Sequence, residues 1–211
     1  MSNRYARTLA AGCAAVLAAT LAAAPALAAT TWTIEPGGAI TAMSSGRFTF
    51  IDHTTGTTTA CRAATASGTL KHGSGLPGSR AGSLSGVSIG RCSGAGGPQY
   101  TLQPTDLPWR VNLSSYDAAT GVLTGTVSHL QIMVKGNGCT AAIDGTSGTA
   151  SDGQVRFTYT DSTGRLRVLA TRGNLHFWNV SAGCLGLLNS GDRAALSVIF
   201  TVSPEQAITS P

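Results

Sequence analysis

The chain has 211 residues, and charged side chains make up only 11% of it, against about 25% in an average soluble protein. With a formal net charge of +5, that scarcity excludes a coiled coil, an acidic disordered tail and a strongly basic nucleic-acid binder. The first segment reads as an export signal. Arg4 and Arg7 stand among the first seven residues with no acid, an Ala- and Leu-rich apolar run covers 8–23, and Pro25 precedes Ala26, Leu27 and Ala28. That order predicts a secretory signal peptide over 1–28, cut between Ala28 and Ala29. Cys13 then leaves with it. A lipoprotein-type cut before Cys13 would leave an apolar core shorter than the roughly 7–15 residues a signal needs.

The expected mature chain, 29–211, is one all-β domain with a net charge of +3 and four cysteines: Cys61, Cys92, Cys139 and Cys184. No second apolar stretch is long enough to span a bilayer. An even cysteine count in an exported chain predicts two disulfides, and no pair has the close spacing of a zinc site. Of the 27 glycines, 26 fall in 29–211. They punctuate runs of four to eight residues rich in Val, Ile, Thr, Phe and Tyr, and no stretch carries a helical apolar stripe. The prediction is an antiparallel β-sandwich or barrel-like fold.

In chain order, Trp32 is expected at the core or its edge. A hairpin joins 47–53 to 57–63 through Thr54, Thr55 and Gly56. The stretch 71–82, with Gly73, Gly75, Pro77 and Gly78, has no periodicity and reads as a loop. A second hairpin runs over 109–127 and turns at 116–121. Leu130, Ile132 and Val134 then alternate with His129, Gln131 and Met133 before a turn at Gly136, Asn137 and Gly138. The clearest unit is 155–169. If Thr160 pairs with Arg165 across the turn Asp161-Ser162-Thr163-Gly164, then Val155, Phe157, Tyr159, Leu166 and Val168 share one face. Arg156, Thr158, Thr160, Arg165 and Arg167 share the other, and a one-residue slip would put arginine in the core. Leu175 and Phe177 alternate with His176 and Trp178, and 194–202 is an apolar strand closed by Pro204.

A short repeat surrounds the cysteines. Gly82-Ser83-Leu84 precedes Cys92, and Gly173-Asn174-Leu175 precedes Cys184. It suggests two related sub-units and, of the three possible connectivities, pairing by halves: Cys61–Cys92 and Cys139–Cys184. Each second cysteine is expected to close a strand.

Chemistry is harder to find. His53, Asp106 and Ser147 follow the chain order of a trypsin-like triad, but Ser147 lacks the glycine-rich surround of the oxyanion turn. The acids sit mostly in turn contexts. Asp52, after Phe50 and Ile51, is the nearest candidate for a buried acid of raised pKa, although its plainer reading is a strand-end aspartate with a turn role. His53, His72, His129 and His176 are dispersed, so neither a metal nor a cofactor is expected. Candidate binding surfaces are the Arg156, Arg165 and Arg167 face, toward a cell-wall polymer, and Trp178 with His176, toward carbohydrate; their plainer readings are the solvated outside of an antiparallel sheet and a central strand buried on both faces.

Several segments together resemble a group of small secreted all-β proteins of high-GC Gram-positive (actinobacterial) bacteria. They are 32–40 (Trp-Thr-Ile-Glu-Pro-Gly-Gly-Ala-Ile), Leu107-Pro108-Trp109, the Tyr116-Asp117 turn ending in Thr120-Gly121, Gly138-Cys139, Gly183-Cys184, and Thr201-Val202-Ser203-Pro204. The resemblance implies export, β-structure and paired cysteines, and no catalytic residue. The expectation is therefore a secreted, non-enzymatic structural or binding module, extracellular or loosely held at the cell wall. The alternatives are a small-molecule carrier, a protease inhibitor presenting 71–80, and, last, a serine hydrolase.

Overall fold

Each expected hairpin forms, and the pairing continues until the sheets close on themselves. The computed structural model describes residues 31–94, 97, 99–136 and 138–210; the expected signal peptide, Cys13 and Asn137 lie outside them. The fold is all-β and antiparallel, a multi-sheet, sandwich-like assembly. The strands are β1 (Thr31–Glu35), β2 (Gly38–Ser44), β3 (Phe48–Asp52), β4 (Thr58–Cys61), β5 (Ala64–Leu70) and β6 (Gly73–Pro77). Next come β7 (Gly82–Ile89), β8 (Cys92–Gly94), β9 (Gln99–Thr105), β10 (Trp109–Asp117), β11 (Val122–Gly136) and β12 (Cys139–Asp144). The last are β13 (Gly153–Thr160), β14 (Arg165–Gly173), β15 (His176–Trp178), β16 (Ala194–Ser203) and β17 (Ala207–Thr209).

Neighbours run β10-β7-β5-β2-β16-β14-β13-β11, and β11 pairs back with β10 to close a first ring of eight strands. A second ring shares β11 and β16 with the first. It runs β16-β3-β4-β8-β9-β11-β12-β15, and β15 returns to β16 through the His176–Arg193 bridge and the Ala194 N–H to Leu175 carbonyl bond of 2.9 Å. Closure removes the exposed edges that an open sheet presents.

The shared strands serve two rings because each changes partners along its length. In β11, residues 122–130 pair with β13 and 131–135 with β9. The switch is a bulge: His129 takes a φ of 63°, and the register slips between Ser128 and Leu130. One extra residue inverts the alternation, so the buried set passes from Leu123 and Val127 to Leu130, Ile132 and Val134. The sequence pattern breaks at the same place, which is why it reads as two strands where the structure has one. In β16, Ala194–Ser197 pair with β3, and the following residues with β14 and β2.

The 155–169 hairpin has the expected register: Thr160 opposes Arg165, Phe157 opposes Val168, and Val155, Phe157, Tyr159 and Val168 are buried. Gly164 takes the left-handed conformation at 59° that the turn requires. The Asp161 carboxylate accepts from the Ile208 N–H (3.3 Å). The stretch 71–82 is not a free loop. Its residues Gly73–Pro77 form β6, which pairs with β1 in a three-stranded sheet ordered β17-β1-β6. As an outer strand beside β1, β6 needs backbone bonds but no alternating side chains. This sheet buries Trp32, Ile34 and Ile208 over one end of the first ring.

Both disulfides join the expected partners, Cys61–Cys92 and Cys139–Cys184. Cys61 and Cys92 are directly paired between β4 and β8. The second cysteines do not close strands, however: Cys92 opens β8, and Cys184 lies in a 3-10 turn, Ala182–Cys184. Nor do the two rings correspond to the two halves of the chain, since strands from both halves build the first ring. Both disulfides brace strands of the second ring. Among the described residues no helix is long and apolar enough to cross a membrane.

Candidate functional site

The first ring encloses a chamber of about 120 Å³ to which all eight of its strands contribute, and its lining is apolar apart from two groups already engaged in hydrogen bonds. Its origin is a cluster of small side chains. Ala42 on β2 and Ala66 on β5 face each other directly across the pair, and Ala64 joins them on the wall. Three alanines cannot fill the space that Phe157, Phe200 and Trp109 leave elsewhere around the lining. One end is closed by Ile208 and Gln206 beneath the three-stranded sheet. The other is closed by Phe48, Ile132 and Leu196, from strands that carry on into the second ring.

The two polar groups at the chamber wall satisfy each other. The Tyr159 hydroxyl donates to the Gln206 carbonyl (3.0 Å) and accepts from the Gln206 N–H (2.9 Å). The Gln206 side chain accepts from the Gly37 N–H (3.0 Å) and donates to the Pro204 carbonyl (2.9 Å). Burial raises the Tyr159 pKa above its ordinary value, which keeps the phenol neutral. Among the described residues the chamber wall carries no carboxylate, imidazole, amine or thiol, and it offers apolar contact on every side.

The second ring holds a much smaller gap of about 20 Å³, and Asp52 lines it with Phe50, Tyr100, Val134 and Phe177. Phe48 and Phe50 meet edge to face at 4.8 Å and mark the boundary between the two interiors. Asp52 is 1% exposed. One of its oxygens accepts from the Thr54 and Thr55 N–H groups (2.8 and 3.0 Å), the turn role expected for a strand-end aspartate. The other has no hydrogen-bond partner. Burial raises its pKa, the two backbone bonds oppose the rise, and the charge of Asp192 adds to it.

The triad candidates do not come together. The Ser147 hydroxyl donates to Asp152 (3.0 Å), Ser151 donates to Asp106, and His53 is exposed beyond the end of β3. Among the described residues no three metal-ligating side chains cluster.

Trp178 and His176 do share a face, with ring centroids 6.1 Å apart. The indole is clamped: its N–H donates to the Gly145 carbonyl (2.8 Å), and Gly148 packs so closely that a Cβ there would lie 2.6 Å from the ring. The 145–152 loop therefore occupies a face that a sugar would stack on. His176 is tied to the Asn174 carbonyl (2.8 Å). Arg156, Arg165 and Arg167 are exposed on the outer face, as the register requires, with Thr158 opposite Arg167 and Thr160 opposite Arg165. Arg156 borders a shallow depression, shared with Gln154, Gly173 and Asn174.

The chamber escapes sequence reading because Ala42 and Ala66 are neighbours only across strands. The signal that was available is the run of alanines at alternate positions, Ala64 and Ala66, in a strand facing the core. The chain matches no family model, no curated protein and no solved structure.

Proposed function

We propose that the protein is a secreted, extracellular binding protein rather than an enzyme, and that it carries a small apolar molecule in the first ring. The single observation that carries this reading is the apolar chamber of about 120 Å³. An eight-stranded ring is of the size at which a barrel is either filled by its own side chains or holds one small ligand. Here the filling is incomplete. At roughly 24 cal/mol per Å³ of cavity, an empty chamber of this size leaves about 3 kcal/mol of packing unrealised, which a guest could recover. A dry apolar cavity of comparable size is known to take benzene or xenon. The absence of free polar groups on the wall argues against chemistry there and for capture by shape and apolarity.

Two disulfides suit an oxidising compartment and support the extracellular placement.

The test is direct titration with benzene and with xenon, followed by thermal unfolding and by xenon NMR. Saturable uptake that raises the unfolding temperature and is lost in Ala66→Leu is the expected result. No uptake of either probe by a folded protein overturns the proposal.

A further inference from the structure

One corner of the second ring carries a feature the chamber does not use. In the β3–β4 pair Phe48 opposes Cys61, and in the β4–β8 pair Cys61 opposes Cys92. One residue outward on each chain stand Arg47, Arg62 and Arg91, so three arginines occupy consecutive register positions side by side. The Arg62 N–H donates to the Arg91 carbonyl (3.1 Å), which continues the pairing past the strand ends. All three side chains are exposed, and they line one cleft of about 420 Å³ with Ser93 and Gln99. Among the described residues the cleft lining contains no acidic side chain.

This arrangement is unfavourable by itself. Adjacent strands lie about 4.8 Å apart, so the backbone anchors three guanidinium-bearing residues within about 10 Å. Like charges directly opposite one another destabilise a sheet. Elsewhere the fold avoids the problem: Arg165 faces Thr160 and Thr201, and Arg167 faces Thr158 and Ile199. At the Arg47–Arg62–Arg91 row there is no such separation. Instead the Cys61–Cys92 disulfide pins β4 to β8 immediately beneath it, so repulsion cannot spread the strands. A concave, acid-free row of cations held in place by a covalent bond is built to receive negative charge.

We infer that this row is a binding site for a linear anion carrying successive phosphate groups. Each guanidinium presents five N–H donors in a planar fork that matches two oxygens of a phosphate at once. Ser93 and Gln99 add neutral donors beside the fork. A linking phosphate carries one charge, as a carboxylate does, but adds bridging oxygens as further acceptors, and three adjacent forks have that many donors to satisfy. The row lies on the outside of the second ring, so its ligand and the chamber's are independent.

The experiment is isothermal titration of the purified protein at low ionic strength with three probes. Tripolyphosphate represents a free polyphosphate, a glycerol-phosphate oligomer represents a phosphodiester chain, and oligoglutamate represents carboxylates. Binding by at least one phosphate probe is expected, and the stronger of the two identifies the source. That binding should weaken as salt rises, because the cleft is exposed. In Arg62→Gln, which removes the middle cation, affinity should fall about tenfold or more, the size of a lost charge-assisted contact. Arg80→Gln, at the capped end of the first ring, should leave it unchanged. Unliganded Arg62→Gln should melt no lower than the parent, since repulsion is relieved, and this separates lost binding from lost folding. Failure of both phosphate probes, equal binding of oligoglutamate, or full binding by Arg62→Gln overturns the inference. Benzene uptake is unaffected in each case.

Discussion

Filling the chamber is the sharpest perturbation available. Ala66 lines it from β5, with Ala42 opposite on β2 and Val87 opposite on β7. Ala66→Leu adds three carbons to a space of about 120 Å³. At about 0.8 kcal/mol per buried methylene, less about 0.5–1 kcal/mol for fixing a leucine rotamer, the expected gain is about 1.5–2 kcal/mol. In a protein of this length that corresponds to a rise of about 3–8 °C in Tm. Urea and thermal unfolding of both proteins without ligand give the comparison. Benzene binding should disappear in the same variant, so stability and affinity move in opposite directions. Ala42→Leu should behave alike, but the double variant should gain less than the two separate gains together, because directly paired residues compete for one space. If Ala66→Leu instead destabilises by the 1–3 kcal/mol typical of an overpacked core, the space is not there and the carrier reading loses its basis.

Three further outcomes follow from the same geometry. Replacing Cys139 and Cys184 by alanine removes a bridge that closes a 45-residue separation and should cost about 4 kcal/mol on the loop-entropy model, read from urea midpoints. Asp52→Asn should stabilise the protein at neutral pH. A carboxyl whose folded pKa is raised by burial imposes no penalty below its unfolded pKa, a growing one as pH rises toward the folded value, and the full one above it. The substituted amide keeps an acceptor oxygen for Thr54 and Thr55, so Tm measured from acidic to neutral pH should fall less in the variant than in the parent. Screening against peptide, ester and glycoside substrates should show no turnover; activity abolished by Ser147→Ala with His53→Ala would revive the hydrolase.

Legibility in the sequence followed the physics of each element. The β13–β14 hairpin could be read to the residue because arginine on one face and aromatic side chains on the other tolerate no slip. The long β11 could not, since the positive φ at His129 resets the alternation and one strand looks like two. The outer strand β6 hid among glycines because nothing in its pairing demands a pattern. Asp52 was recognisable as a candidate from its apolar neighbours Phe50 and Ile51, and the turn bonds accepted by one of its oxygens coexist with a pKa that burial raises. Ring closure, the chamber and the arginine row were illegible for a common reason. Each depends on which residues become neighbours across strands, as Ala42 does with Ala66 and Arg62 with Arg91, and that is fixed by long-range pairing rather than by local composition.

The sheet ordered β17-β1-β6 has a consequence for timing. β1 and β17 come from opposite ends of the described residues, with Thr33 opposite Thr209, so the cover over the first ring joins segments far apart in the sequence. Among the described residues its contacts close a very long loop, which raises the entropic cost of their formation. During folding the ring can assemble while still open at that end, and the pairing of β17 with β1 then seals it. A guest trapped at that moment would leave only when the cover lifts, so the rate of exchange, rather than the depth of the well, would govern how long cargo is kept.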